Sequence, residues 1–336
     1  MPANLTPDYL AAEARFRAAV TTEEKLAGLD EMYATIPKHK GTEKLRADIK
    51  RRVSKLREKD KQSAKKGKHF DEFHVEKQGA GQVVLLGPPN SGRSMLVSRL
   101  TSAEPEVADY PYTTRAPMPG MMEFEDVAVQ LVDTPPMFGE HTEGGVISLA
   151  RNADSVAIVL DATDNALLDQ IEEIREETAK SRMALAGGRM LGGDSEIATQ
   201  HGPGAVLKPA FIVANKIDLP GAADNLAVLD EFYAGEFDIY RISALTGDGL
   251  EDLRRGIFES LGIIRVYTKI PGKPPDLTQP FTLKKGSTLM DFAATVHKDF
   301  VSRLRFARAW GKHHLDGAQI GRDHVLEDGD VVELHE

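Results

Sequence analysis

Between residues 73 and 261, short apolar runs alternate with stretches in which apolar side chains recur every three or four positions. The runs at 83–86, 127–132, 156–160, 211–214 and 239–242 predict strands buried on both faces, and the periodic stretches predict helices. Strands alternating with helices in this way form a mostly parallel sheet covered on both sides, with ligand loops at the strands' carboxyl ends. From 180 to 208 the chain becomes Gly-rich and aperiodic, which predicts a flexible insertion.

The two flanks read differently. Thr6-Pro7-Asp8 and the pair Thr21 and Glu24 are helix-start signals. Leu26, Leu29, Tyr33 and Ile36, then Leu45, Ile49, Val53 and Leu56, repeat at helical spacing, giving a helical region hinged near 37–41 and tailing into a polar linker at 60–68. Beyond 261 the pattern shifts to short strands punctuated by Pro and Gly. Leu289, Phe292, Ala293, Val296 and Phe300 predict one helix, and 331–334 a last strand after the turn Glu327-Asp328-Gly329-Asp330. The expected domains are 1–72, basic and helical; 73–262, α/β; and 263–336, a small mixed sheet with one packed helix.

Composition adds three constraints. The 336 residues include no cysteine, which removes disulfide and thiolate chemistry. No apolar run reaches the roughly 20 residues of a membrane helix, and no basic flank with an apolar stretch opens the chain, so a cytoplasmic protein without membrane contact is expected. The net charge is -10, yet residues 38–68 carry 14 Lys and Arg against 4 Asp and Glu. A basic arm on an acidic body predicts a polyanion partner such as RNA, because each cation that meets a phosphate releases condensed counterions. His297, His313, His314 and His324 crowd the C-terminal region without metal-ligand spacing and fit surface or nucleic-acid contact better.

Candidate chemistry lies in four short strings, each following a predicted strand: Gly87 to Ser94 (GPPNSGRS), Asp133-Thr134-Pro135-Pro136, Asn215-Lys216-Ile217-Asp218, and Ser243-Ala244-Leu245. Their order is that of a guanine-nucleotide switch. In the first, Gly87 and Gly92 let the backbone curl so that N–H groups face phosphate oxygens at a helix N-terminus, with Asn90, Ser91 and Arg93 completing the loop. Ser94 and Asp133 are candidate magnesium ligands, and Thr114, in Thr113-Thr114, would close on the metal when a γ-phosphate is present. Arg93, Thr114 and Asp133 are therefore the candidate catalytic residues. Asp218 suits the N1–H and 2-amino donors of guanine, which adenine lacks, with Asn215 and Lys216 beside it and Ser243 and Ala244 placing a backbone N–H near the guanine carbonyl. Two positions depart from the usual pattern: Arg93 replaces the loop lysine, and Pro136 replaces a glycine.

Longer strings carry a resemblance. Residues 107–120, VADYPYTTRAPMPG, and RVYTKIPGKPPD at 265–276 with DHVLEDGDVV at 323–332 resemble the developmentally regulated GTP-binding proteins, a branch of the Obg-like GTPases. The resemblance implies a Ras-like P-loop GTPase domain, a C-terminal β-grasp (TGS) domain, GTP and GDP with magnesium, work on ribosomes or RNA, and an accessory protein partner. It also implies that Asn90 matches an asparagine linked to potassium-stimulated hydrolysis, and that Met137 falls where many GTPases carry a water-orienting glutamine. GTP hydrolysis to GDP and phosphate is expected to be slow, or lost, because of Arg93 and Pro136. The span from Asp133 to Asn215 is too short for the extra insert usual in eukaryotic and archaeal members.

Overall fold

The structure is a computed structural model that describes residues 9, 11–12, 16, 22–36, 46, 49–53, 73–101, 116–137, 144–188, 205–312 and 316–335. The chain divides into two compact units, Met1–Asp71 and Glu72–Glu336. In the first, helix α1 (Thr22–Thr35) buries Leu29, Met32 and Ile36 with Tyr9, Ala12 and Ile49 in one apolar cluster. The start at Thr6, the hinge, Leu45, Leu56 and the linker lie outside the described residues.

The second unit holds two sheets. The larger has seven strands: β1 (Gln82–Leu86), β2 (Met118–Phe124), β3 (Val127–Asp133), β4 (Ser155–Asp161), β5 (Met183–Ala186), β6 (Val206–Asn215) and β7 (Ile239–Arg241). The order runs β2-β3-β1-β4-β6-β5, with β7 also on β6. All pairings are parallel except the β2–β3 hairpin. β1 is buried at all five positions, as its unbroken apolar run requires. One face packs on helices α3 (Gly144–Asn152), α4 (Leu167–Lys180) and α5 (Ala222–Tyr233), and the other on α2 (Arg93–Leu100) and α6 (Leu250–Ser260). Helices cover both faces of the sheet, so the carboxyl ends of β1, β3, β6 and β7 are left to loops.

Contrary to the expectation from sequence, residues 180–208 are not one continuous flexible insertion, since β5 pairs with the first half of β6 in register Met183↔Val206 to Ala186↔Pro209. β5 is four residues long and gave no usable period. Residues 189–204 lie outside the described set. β2 was also unforeseen, because MPGMMEF alternates weakly and is paired on one edge only.

The smaller sheet comprises β8 (Ile263–Lys269), β9 (Pro275–Lys284), β10 (Phe306–Trp310), β11 (Ala318–Ile320) and β12 (Asp330–His335), ordered β11-β10-β12-β8-β9, with β12 and β8 parallel. The single predicted helix is in fact two, α7 (Leu289–Val296) and α8 (Lys298–Arg303). His297 interrupts them in extended conformation and accepts from the Asp299 N–H at 3.2 Å, capping the second. α7 begins with a capping box between Thr288 and Asp291, a device worth about 1 kcal/mol. Phe292, wholly buried, sits edge-on to Phe281 and anchors this core.

Arg265 joins the two sheets. Its guanidinium meets Glu125 and, at 2.9 Å, Asp126 on the β2–β3 turn, pairs with Asp328 at 2.7 Å, and lies over the Phe258 ring. The Tyr267 hydroxyl donates to Asp126. Hydrogen bonds from Asp328, Glu125 and Asp126 hold the Arg265 pKa above its usual value despite partial burial.

Candidate nucleotide site

β1 delivers the chain into a tight loop that α2 closes. The loop's turn needs positive φ at Asn90 (63°) and Gly92 (90°), the first tolerated by asparagine and the second filled by glycine. A side chain at 92 would also run into the Asn215 amide. Gly92 caps α2 without any side-chain hydrogen bond. The helix's positive end therefore faces the loop, an arrangement suited to an anion.

Ser91 Oγ is buried there with no hydrogen-bond partner, and so is Arg93 Nε. Arg93 folds back inside the loop: its Nη1 donates to the Gly87 carbonyl, and Nε stands 3.7 Å from Asp133 Oδ1. Burial pushes the guanidinium pKa down to about 10, against the opposing pull of Asp133. A buried cation so sparsely compensated, beside an unsatisfied hydroxyl and a helix N-terminus, fits a polyanionic group such as a phosphate chain.

β3 ends beside this loop. The Ser94 hydroxyl donates to Asp133 Oδ2 at 2.5 Å, so two oxygen donors of the kind magnesium takes face each other. Thr134, also buried, donates to the Leu85 carbonyl at 2.7 Å and locks the end of β3 to β1. Pro136 offers no N–H; the next N–H, that of Met137, donates to the Gly87 carbonyl at 3.3 Å. The Met137 side chain is turned into the core and is 1% exposed. Thr113 and Thr114 lie outside the described residues.

Asn215 is the hub on the opposite flank. Its Nδ2 donates to the Ser91 carbonyl at 2.9 Å, while Oδ1 accepts from the Lys216 N–H at 2.8 Å and the Ala244 N–H at 3.0 Å. One buried amide thus ties the phosphate loop to the loops after β6 and β7. The Ala244 N–H, expected near a guanine carbonyl, is engaged by Asn215 in this structure. Lys216 sits at φ 66° with its ammonium 2.6 Å from Asp161 at the end of β4. Partial burial pushes Asp161 up, but hydrogen bonds from Lys216 and Thr163 outweigh it and hold the carboxyl below its usual pKa. Ser243 is wholly buried and its Oγ accepts from the Thr246 N–H at 3.1 Å. Asp218 is exposed on the rim.

Gly87, Asn90, Ser91, Gly92, Arg93, Ser94, Asp133, Asn215, Lys216, Asp218, Ser243 and Ala244 therefore gather at one end of the sheet, whereas sequence reasoning overlooked Asp161 and Arg99. Arg99, on the exposed side of α2, donates to the Ala244 and Leu245 carbonyls at 3.0 and 2.6 Å. The only sequence trace of Asp161 is its Asx turn with Thr163, whose N–H it accepts at 2.9 Å.

Comparison with known proteins agrees with this geometry. Residues 82–186 match the model for a 50S ribosome-binding GTPase, and residues 264–336 match the TGS domain. An uncharacterized GTP-binding protein of Methanocaldococcus jannaschii is 28% identical, over 93% of this chain and 92% of its own length. Developmentally-regulated GTP-binding protein 2 of Bos taurus is 27% identical over 93% and 98%. Among solved structures, the YchF GTPase of Schizosaccharomyces pombe aligns with 78% of this chain and all of its own, at TM-score 0.50 and 14% identity, a likeness of fold. The chain thus carries a P-loop GTPase domain followed by a TGS domain, and over nearly its full length it is similar to developmentally regulated GTP-binding proteins.

Proposed function

We propose that this GTP-binding protein is a slow GTPase switch whose nucleotide state changes its docking on ribosomes or RNA. The observation that carries the reading is the buried Arg93 inside a loop whose Ser91 hydroxyl has no hydrogen-bond partner and whose helix end has no side-chain cap, with Asn215 fastening that loop to the loops after β6 and β7. In this reading Gly87 to Ser94 hold the phosphates, and Ser94, Asp133 and Thr114 hold magnesium. Asp218 reads guanine, with the loop at Ser243 and Ala244 closing over the base. Magnesium, when bound, supplies charge neutralisation between the phosphates. Potassium, if it acts, does so beside Asn90. Residues 1–72 and the TGS domain provide the RNA-facing surfaces, the 14 Lys and Arg of residues 38–68 being the strongest electrostatic argument.

A second reading is favoured by Met137 and Pro136: a protein that holds nucleotide with little turnover while gripping RNA or ribosomes. Met137 is turned into the core and Pro136 has no N–H to offer a γ-phosphate. Single-turnover GTP hydrolysis, with and without potassium and ribosomes, separates the two. A slow rate that ribosomes or potassium accelerate supports the switch, and no hydrolysis under any condition supports the holder. Removing residues 1–68 should weaken ribosome co-sedimentation and flatten its salt dependence at unchanged nucleotide affinity. Equal co-sedimentation at every salt concentration contradicts the role given to that region.

A further inference from the structure

At the other end of β6 from Asn215, about 20 Å away along the strand at roughly 3.3 Å per residue, a separate cavity of about 570 Å³ opens where the two sheets meet. Its walls come from the start of β6, from β7, from the end of α6 and from the turn after β9. The backbone N–H of Lys285 donates to the Gly262 carbonyl at 2.7 Å and closes the rim.

The cavity contains a buried cation that the nucleotide site does not use. Lys208 is 8% exposed, donates to the Ala153 carbonyl, and forms no ion pair among the described residues. Asp154, the acid beside it, is already engaged: one oxygen accepts from Lys77 at 2.6 Å and the other from the Gln82 N–H at 2.9 Å. Burial, and then Lys77, Arg151 and Lys284, push the Lys208 ammonium below its usual pKa, with Asp154 opposing. An ammonium held in a desolvated wall, with two N–H donors to spare and like charges nearby, is costly unless an anion compensates it. Lys284 and Lys285 line the same cavity from the TGS side.

The remaining walls are of another character. Phe211 and Tyr240 meet edge to face at 5.6 Å, and Asp238 and Glu259 lie on the Tyr240 side. There the Tyr240 hydroxyl is pushed up to about 12 by burial and by Asp238, Glu259 and Asp252. The volume suits a small metabolite rather than a lone inorganic ion, and the Glu259 carboxylate suits a hydroxyl or amino donor. We propose that this cavity is a second ligand site, taking a small phosphomonoester whose phosphate lies on Lys208, Lys284 and Lys285 and whose organic part packs on Phe211 and Tyr240.

The test uses the full chain saturated with GDP, so that the nucleotide loop is filled. Thermal unfolding is followed in chloride, inorganic phosphate and glycerol phosphate at matched ionic strength. Wild type should gain roughly 5 °C in glycerol phosphate near a hundredfold excess over its dissociation constant, and less in inorganic phosphate. Lys208→Met, which keeps the apolar stem, should unfold at a higher temperature than wild type in chloride and gain nothing from either anion. Lys284→Ala combined with Lys285→Ala, both exposed positions, should at least halve the wild-type gain and serves if Lys208→Met does not fold. A gain in Lys208→Met equal to that of wild type, an undiminished gain in the double variant, or no gain in wild type overturns the proposal. Equal gains from the two anions overturn the organic part of it.

Discussion

The two flanks of the proposed nucleotide site, the loops after β6 and β7 on one and the loop after β1 with the end of β3 on the other, are held in different ways. On the base side, each loop is fixed by a specific partner: Asn215 bridges three backbone groups, Lys216 pairs with Asp161, and Arg99 holds the loop after β7. Where the proposed site would take a γ-phosphate, Pro136 has no N–H to offer, Met137 is turned into the core, and Arg93 is folded into the loop on a backbone carbonyl. The contrast teaches that holding a guanine nucleotide and sensing its third phosphate are separable demands. In the proposed site the framework for the first is in place, and Pro136 departs from the pattern expected for the second.

The largest break to that contrast comes from removing the hub. Asn215→Ala leaves the Ser91 carbonyl, the Ala244 N–H and the Lys216 N–H without their shared partner, at a cost of about 3 kcal/mol. We expect a fall in GDP affinity of roughly a hundredfold by calorimetric titration, and a lower melting temperature. An affinity within threefold of wild type would show that the loops are positioned independently.

Next is Asp218→Asn, which replaces an acceptor-only carboxylate with an amide that also donates. Guanine affinity should fall by roughly 10- to 100-fold while xanthine nucleotides gain relative to guanine, as read in a competition titration. An unchanged preference refutes the assignment of Asp218 to the base.

On the opposite side, Pro136→Gly restores an N–H and backbone freedom. It should raise the ratio of GTP to GDP affinity by about tenfold or more, the value of one charge-assisted hydrogen bond, with GDP affinity little changed. Pairing it with Arg93→Lys should extend the gain. A ratio that neither change moves would mean that other donors sense the γ-phosphate.

The smallest effect is expected from Arg99→Met, which loses two hydrogen bonds to the Ala244 and Leu245 carbonyls on a partly solvated surface. Affinity for GTP and GDP should drop together by about threefold to tenfold, leaving their ratio intact. A change in the ratio would mean that Arg99 acts on the phosphate side too.

Much of this architecture was legible because parallel strands buried on both faces leave unbroken apolar runs, and because the four strings follow such strands. What stayed hidden needed a partner distant in sequence. Asp161 ends a strand like any turn-forming aspartate, and only Lys216, delivered by β6, gives it a role. Arg99 reads as a solvated helix residue until β7 brings the Ala244 carbonyl to it. β2 and β5 are edge strands whose short, irregular alternation carries little signal. The break between α7 and α8 is set by the extended backbone at His297, whereas the apolar spacing runs straight through it.

The proposed guanine site, and the weak discrimination between its two nucleotides expected from Pro136, are tested most directly by titrating wild-type protein with GDP and with a non-hydrolysable GTP analogue, both with magnesium, alongside ADP. The account predicts GDP and the analogue within about tenfold of each other, the range left when one charge-assisted bond is missing, and ADP far weaker. An analogue bound more than about a hundredfold tighter than GDP, or ADP matching GDP, would contradict it.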